Sequence, residues 1–207
     1  MDRLIFRVVM ALVGSYLLGG FLGGMFAAEI RGIDLKRRGS GSMGATNVLR
    51  TMGPFFALCT LAVDIAKGLG AVALGRLTGY PGLDVACGAL AIIGHNWPLS
   101  ASFKGGKGIA TTLGTMILLA PKAPLILVPL WAVLAIPTGY VSLGSVAASA
   151  AYPVVIAVMY SGRPGFTYLL AYASLCAVMA IYQHRDNLAR LLRGKENNLW
   201  RRGAEKP

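Results

Sequence analysis

Residues 54–77 read PFFALCTLAVDIAKGLGAVALGRL, a run whose only charged residues are Asp64, Lys67 and Arg76. A helix needs ~20 predominantly apolar residues to cross a bilayer, and this run is long enough. It therefore predicts a membrane-spanning helix. Asp64 and Lys67 stand three residues apart, so a helix places them on one face, where unpaired they would be costly in a bilayer. We expect them to pair and face the interior of a helical bundle, with ion conduction as the alternative.

The rest of the chain has the same apolar character. Of its 207 residues 56% are hydrophobic and 14% are charged, whereas soluble domains carry roughly 25% charged residues. Apolar windows predict spans at residues 4–28, 54–77, 83–98, 108–121, 124–139, 141–160 and 166–184. We therefore predict an all-α integral membrane protein with seven transmembrane helices. Residues 1–196 form one polytopic membrane domain in this prediction, and residues 197–207 form a polar C-terminal tail.

Lysine and arginine residues predict the orientation, because basic loops are retained in the cytoplasm. With the N-terminus outside, fourteen of these residues fall on the cytoplasmic side, five fall outside, and Lys67 lies within a span. The prediction is therefore an outside N-terminus and a cytoplasmic C-terminus. The loops 31–53 and 95–107 and the segment that begins at His184 then share the cytoplasmic side.

The net charge of +12 limits the class of partner. A basic balance favours anionic lipid headgroups, anionic substrates or nucleic acid. Nucleic acid is disfavoured, because the basic residues sit in short loops between apolar runs rather than on one continuous stripe. We expect no metal site and no organic cofactor, because no His, Cys and Asp cluster has ligand spacing.

The first polar segment is Gly39–Arg50, GSGSMGATNVLR. Its glycines leave backbone N–H groups able to surround an anion, and Ser40, Ser42 and Thr46 add hydroxyl groups. Arg50 offers a planar fork that suits phosphate or carboxylate. A flexible turn with a helix cap is the alternative interpretation. No Walker-type GKS or GKT follows, which argues against nucleotide hydrolysis.

Two further polar segments have the same character. Gly105-Gly106-Lys107-Gly108 leads into an apolar run, so that free N–H groups at a helix start and one lysine predict a phosphate site. A positively charged anchor with hinge glycines is the alternative. His184 and Asn187 share a face if helical, and they suit a general base and a substrate-orienting group, or ordinary interfacial residues. Ser142 either completes this polar site or serves helix packing.

The motifs together, and in this order, resemble the bacterial acyl-phosphate-dependent glycerol-3-phosphate acyltransferase family, PlsY. The resemblance covers about residues 14 to 196, and one residue departs from it, since Ser42 stands where the family commonly has Asn. It rests on Gly39-Ser40-Gly41, Gly44-Ala45-Thr46-Asn47-Val48-Leu49-Arg50, Asp64-Ile65-Ala66-Lys67-Gly68, Gly94-His95, Gly105-Gly106-Lys107-Gly108 with Ala110-Thr111, His184 with Asn187, and Gly194-Lys195-Glu196.

This resemblance implies an enzyme of the bacterial inner membrane that performs the first acylation of phospholipid synthesis. It would move a fatty acyl group from acyl phosphate to the 1-hydroxyl of sn-glycerol 3-phosphate, giving lysophosphatidic acid and phosphate. Its partners would be these two substrates, membrane lipids and, transiently, the enzyme that makes acyl phosphate.

The catalytic residues implied are Ser40, His184 and Asn187. The proposed phosphate-binding residues are Arg50, Lys107, Gly41, Thr46, Asn47, Gly105, Gly106, Gly108 and Ser142. Direct attack on the acyl phosphate is expected, with either His184 or a substrate phosphate accepting the hydroxyl proton. The alternatives from other classes are an organophosphate transporter and a regulatory protein that binds anionic lipid.

Overall fold

The computed structural model describes residues 2–200, and these residues form helices and loops without a strand. Two single-turn 3₁₀ helices, Leu35–Arg37 and Leu99–Ala101, lie in loops. The α-helices of the described part are α1 (Asp2–Gly20), α2 (Gly23–Ile30), α3 (Ala45–Met52), α4 (Pro54–Leu77), α5 (Leu83–Asn96), α6 (Ile109–Leu119), α7 (Pro124–Thr138), α8 (Val141–Tyr160), α9 (Phe166–Gln183) and α10 (Arg185–Leu192). The all-α prediction is confirmed.

Helix lengths divide the predicted spans into two groups. Four helices, α1, α4, α8 and α9, are long and apolar enough to cross a membrane. The apolar helices α6 and α7 are shorter. At 1.5 Å per residue α6 extends only ~16 Å, about half of a hydrocarbon core. The count of seven spans therefore stays a prediction.

The first predicted span, 4–28, is not one helix. It ends at Gly20 and restarts at Gly23, and Phe21 and Leu22 between them are not helical. Consecutive glycines weaken the helix here. The carbonyl oxygen of Phe21 accepts a hydrogen bond from Lys67 Nζ at 2.9 Å, which satisfies a backbone group outside the helices. Lys67, a charged residue of α4, therefore stabilises the interruption between α1 and α2.

Close helix contacts build the bundle. Helix α1 packs on α5, α4 packs on α5 and α6, and α8 packs on α7 and α9. Gly68 of α4 lies against the backbone of α6, and Gly114 of α6 lies against the backbone of Ile65, so that a Cβ at either glycine would overlap main-chain atoms. A core cluster that includes Ile92, Tyr152 and Tyr172 joins α5, α8 and α9. These helices surround one cavity.

The C-terminal part differs from the predicted polar tail that begins at residue 197. After α10 the chain runs back along the end of α7, where Leu199 N donates to Gly139 O at 2.8 Å and Trp200 Nε1 donates to Ile136 O at 2.7 Å. Asn198 Nδ2 donates to Thr138 O at 2.8 Å. Residues 197–200, which we call the C-terminal strap, are thus bound to the bundle. Residues 201–207 of the predicted tail lie outside the described residues.

Candidate active site

A cavity of about 370 Å³ opens between the helices and brings the three polar segments together. Its polar end is lined by Ser40, Ser42, Thr46, Arg50, Lys107, Ser142, His184, Asn187 and Glu196. These residues come from the loop before α3 and α3 itself, the loop before α6, the start of α8, the junction of α9 with α10 and the first turn of α10, and the segment after α10. The predicted convergence of the three segments on one site is therefore present in the fold.

Lys107 is fixed at the polar end by Asn187, because its Nζ donates to Asn187 Oδ1. Gly108 follows in the left-handed region, at a φ of 78°, and caps α6. Burial lowers the pKa of Lys107 to about 8; Glu196 opposes this shift, and the charges of Arg190 and Arg50 add to it. The ammonium group is thus a partly desolvated cation in the cavity wall.

Glu196 organises this end of the cavity, a role that the sequence interpretation missed. Its Oε1 accepts hydrogen bonds from Asn187 Nδ2 at 2.6 Å and from Ser142 Oγ at 2.9 Å. Its Oε2 accepts one from Arg190 Nε at 2.8 Å. The Gly194-Lys195-Glu196 string was the available signal, but spacing alone did not show that the chain turns back into the site.

Ser142 lines the cavity, and its hydroxyl donates a hydrogen bond to Glu196 Oε1. It thus helps to hold the carboxylate that fixes Asn187 and Arg190. Its contact with phosphate stays a prediction.

Positive charge exceeds negative charge around Glu196. Arg50, Lys107 and Arg190 act on this one buried carboxylate, and burial lowers the pKa of Arg50. Arg50 Nη2 donates to Asn197 O at 3.3 Å, whereas its buried Nε has no hydrogen-bond partner among the described residues. Cations with an unused donor, partly out of water, attract a phosphate-type anion strongly.

His184 lies directly beyond α9, and its Nδ1 is 2.7 Å from Ala180 O. Burial, reinforced by the charge of Lys107, lowers the pKa of His184 to about 4 against the raising effects of the Ala180 carbonyl and Glu196. The ring is therefore neutral near pH 7. Since Nδ1 must carry the proton to bond a carbonyl, Nε2 is left as an acceptor for a substrate hydroxyl.

The loop before α3 is built around Asn47. Asn47 Nδ2 donates to Arg38 O at 3.1 Å and Ser42 O at 2.9 Å, and its Oδ1 accepts from Ser40 N at 2.8 Å. Both amide donors of Asn47 are thus used within the loop, and its phosphate contact stays a prediction. Asn47 shapes the loop that presents Ser40.

Gly41 shapes the same loop, and its phosphate contact stays a prediction. Its φ of 71° requires glycine, and its N–H donates to Arg38 O at 3.0 Å. Thr46, by contrast, lines the cavity in the first turn of α3. The N–H groups of Ala45 and Thr46 precede the intrahelical hydrogen bonds of α3, so they remain donors at a helix start.

The glycines before α6 form hydrogen bonds to the end of α5. Gly105 N donates to Asn96 O at 3.1 Å and Gly106 N donates to His95 O at 3.0 Å. Their phosphate contacts stay predictions. A Cβ on Gly106 would overlap the His95 ring. These glycines allow the loop to lie against α5, whereas Gly108 lines the cavity as its predicted position required.

The predicted Asp64–Lys67 pair is present, with Lys67 Nζ 2.9 Å from Asp64 Oδ1 and both side chains buried. Lys67 Nζ is also 2.6 Å from His95 Nδ1. Asp64 and His95 lie on the cavity wall. His95 therefore joins α4, α5 and the loop before Lys107.

Beyond the polar end the cavity is apolar. Its wall there includes Leu113, Met116, Leu127, Trp131, Tyr152 and Cys176. Leu61 and Val128 line the cavity and are also exposed on the outer surface, which opens it sideways. A cationic pocket continuous with an apolar cavity suits an amphiphile with a phosphate group. The fold and site thus define a helical membrane protein with a cationic pocket at one end of an apolar cavity.

Comparison with known proteins agrees with this class. Residues 9–194 match the family described as "Glycerol-3-phosphate acyltransferase". Proteins of that name from Desulforudis audaxviator and Symbiobacterium thermophilum are 42% and 45% identical to the chain. The first match covers 92% of this chain and 94% of the relative, and the second covers 93% and 94%.

Two solved structures share the fold. The chain is 32% identical to the crystal structure of PlsY (YgiH), an integral membrane glycerol 3-phosphate acyltransferase, in its glycerol 3-phosphate form, with a TM-score of 0.85 over 92% of this chain and 94% of that one. The lysophosphatidic acid form gives 32% identity and a TM-score of 0.81, over 95% of each chain. The chain belongs to the glycerol-3-phosphate acyltransferase family, as its motifs predicted, and is an integral membrane protein.

Proposed function

We propose that the protein transfers a fatty acyl group from acyl phosphate to the 1-hydroxyl of sn-glycerol 3-phosphate, giving lysophosphatidic acid and inorganic phosphate. This reaction would be the first acylation of phospholipid synthesis. The observation that carries the proposal is the excess of cations at the polar end of an otherwise apolar cavity. Solved relatives in glycerol 3-phosphate and lysophosphatidic acid forms support it.

In the proposed step the 1-hydroxyl oxygen attacks the acyl carbon directly. A new ester C–O bond forms, the bond between the acyl carbon and the phosphate oxygen breaks, and phosphate leaves with that electron pair. No covalent enzyme intermediate is required, because acyl phosphate is already an activated anhydride. The enzyme contributes positioning and electrostatic stabilisation of the leaving phosphate.

Arg50 and Lys107 hold the phosphate of glycerol 3-phosphate in this proposal. Asn187 orients the glycerol because Glu196 and Lys107 fix both ends of its amide. The Ser40 hydroxyl and the first N–H groups of α3, near Thr46, hold the departing phosphoryl group. Each role needs only groups that face the cavity.

In this proposal the proton of the attacking 1-hydroxyl passes to a phosphate oxygen of the substrate rather than to His184. The second pKa of a phosphate monoester is about 6, whereas the pKa of His184 is about 4. The stronger base of the two is therefore the phosphate. His184 Nε2 accepts a hydrogen bond from the glycerol hydroxyl and points it at the acyl carbon.

The same proposal includes the topology. Seven spans, an outside N-terminus and a cytoplasmic C-terminus would place the polar end of the cavity on the cytoplasmic face of a bacterial inner membrane. Residues 1–196 would then act as one membrane domain. Acyl phosphate would reach the site through the sideways opening, from lipid or from the enzyme that produces it.

Phosphate release by the purified protein tests the function. We expect palmitoyl phosphate to yield phosphate and lysophosphatidic acid only when glycerol 3-phosphate is present. K107A should lose most of this activity, mainly through a higher KM for glycerol 3-phosphate. The matched control is K104A, because Lys104 lies in the same loop but is exposed. Release that does not depend on glycerol 3-phosphate would contradict the proposal.

A further inference from the structure

The apolar part of the cavity, which we call the apolar tube, runs alongside α8. Five residues of α8 that line the cavity form one stripe of the helix, namely Ser142, Ser145, Ala148, Ser149 and Tyr152. Ser142 lies at the polar end, where it bonds Glu196. Tyr152 follows ten residues later, which is ~15 Å along the helix axis.

On four helices the residues that line the cavity are followed by residues of the packed core. On α8 the lining ends at Tyr152, and the next inward residues, Val155 and Ile156, belong to that core. The lining likewise ends at Met116 on α6, Leu127 on α7 and Cys176 on α9. The core residues next to them are Ala120 directly after α6, Ala123 directly before α7 and Ala173 on α9. We take Tyr152 as the floor of the apolar tube on α8.

The Tyr152 side chain is held rigidly in this floor. Its ring is fully buried and meets the Tyr172 ring edge-on, with centroids 6.4 Å apart and planes at 88°. Tyr172 is fixed in turn, because its hydroxyl donates to Thr115 Oγ1 at 2.5 Å. A buried ring packed against a fixed partner resists displacement by a ligand, since core side chains have little free volume.

We propose that Tyr152 is a specificity-determining residue that sets the length of acyl chain the enzyme transfers most efficiently. The inference rests on the proposed function, because it takes the apolar tube as the site of the donor's acyl chain. An extended chain advances ~1.25 Å per methylene by standard carbon geometry. A tube of ~15 Å thus accommodates about twelve methylenes before the chain end meets the floor. Longer chains must bend or leave through the opening beside Leu61 and Val128.

The test is kcat/KM for a series of acyl phosphates of increasing chain length, at saturating glycerol 3-phosphate. Y152A removes the ring and lengthens the apolar tube, so we expect the preferred acyl-chain length to rise by about two to four carbons. S149F raises the floor by about one helical turn, so we expect the preferred length to fall by a similar amount. The KM for glycerol 3-phosphate should stay unchanged in both variants. A loss of stability cannot explain why two substitutions on one helix shift the preferred acyl-chain length in opposite directions.

Two control variants distinguish a limit on acyl-chain length at Tyr152 from a general effect of substitutions in α8. Y152F keeps the ring and should retain the wild-type order of chain lengths. V154A alters an exposed residue of the same helix and should leave the order unchanged as well. An order that is the same in Y152A, S149F and the wild type would overturn the role of Tyr152 while leaving the transferase intact. A wild-type protein that transfers no chain of any length would overturn the proposed function instead.

Discussion

The charge on Lys107 depends on pH within the working range of an enzyme. Its pKa is lowered to about 8 by burial, so the ammonium form is complete below that pH and is lost as pH rises through it. We expect kcat/KM for glycerol 3-phosphate to fall above pH about 8 for this reason. K107R should move the fall to higher pH, because arginine stays charged. The pH profile of K104A is the control, and a K107R profile identical to wild type would contradict the assignment.

His184 gives a second prediction of this kind. A general base contributes roughly 10²–10⁴-fold to rate, whereas a neutral hydrogen-bond acceptor contributes less. Because the proposal makes the phosphate the proton acceptor, H184A should lose less than ~10²-fold in kcat. H184N should recover part of the loss, since its amide oxygen can still accept a hydrogen bond. A larger loss in both variants, with KM values unchanged, would identify His184 as the base.

The loop before α3 depends on one amide, that of Asn47. N47A removes three hydrogen bonds to Ser40, Arg38 and Ser42 and leaves buried backbone groups unpaired. We expect a loss of about 2–4 kcal/mol in the free energy of unfolding. The KM for acyl phosphate should rise as well, because Ser40 moves. Thermal unfolding in detergent and steady-state kinetics measure the two effects.

A matched control for that variant is N197A. The Asn197 side chain is exposed, and its backbone oxygen, which bonds Arg50, is kept in alanine. N197A should therefore unfold like the wild type. If N47A unfolded at the wild-type temperature too, the loop would not depend on Asn47.

Lys67 links several elements of the helical bundle. This residue pairs with Asp64, approaches His95 and bonds the free carbonyl between α1 and α2. K67M leaves the buried Asp64 carboxylate with the His95 ring, 3.5 Å away, as its remaining partner. Removing one partner of a buried ion pair costs about 3–5 kcal/mol. The double variant D64N/K67M should be less destabilised than K67M alone, because the unpaired charge is gone. A double-mutant cycle of unfolding free energies measures the coupling, and strictly additive effects would show that the pair does not hold the helices.

Sequence patterns determine some parts of this molecule well. The bounds of α4 and α8 coincide with the predicted spans, because Pro54 and the turn at Gly139-Tyr140 interrupt apolar runs there. The break after Gly20 could not be predicted, because it depends on a contact with Lys67, which lies on another helix. Local hydropathy reports what a segment can bury, but it does not report which tertiary partner satisfies its backbone.

The site shows the same limit. The polar segments were predicted to meet, and Lys107, Asn187 and His184 do meet at one cavity. The phosphate contacts of Gly41, Gly105 and Gly106 stay predictions. In the structure their N–H groups donate to the carbonyl oxygens of Arg38, Asn96 and His95, which sequence spacing alone did not show. Glu196 was missed because its role appears only when the chain after α10 turns back.

Glu196 also has a consequence for how long an anion remains in the site. Its carboxylate offsets part of the attraction that Arg50, Lys107 and Arg190 exert on a bound phosphate. A phosphate in the site is therefore bound less tightly and dissociates faster. Without that counter-charge, the cations that capture one anion would also retain the next. In the proposed reaction, the carboxylate held beside the C-terminal strap would therefore favour short dwell times of phosphate and limit inhibition by the phosphate released.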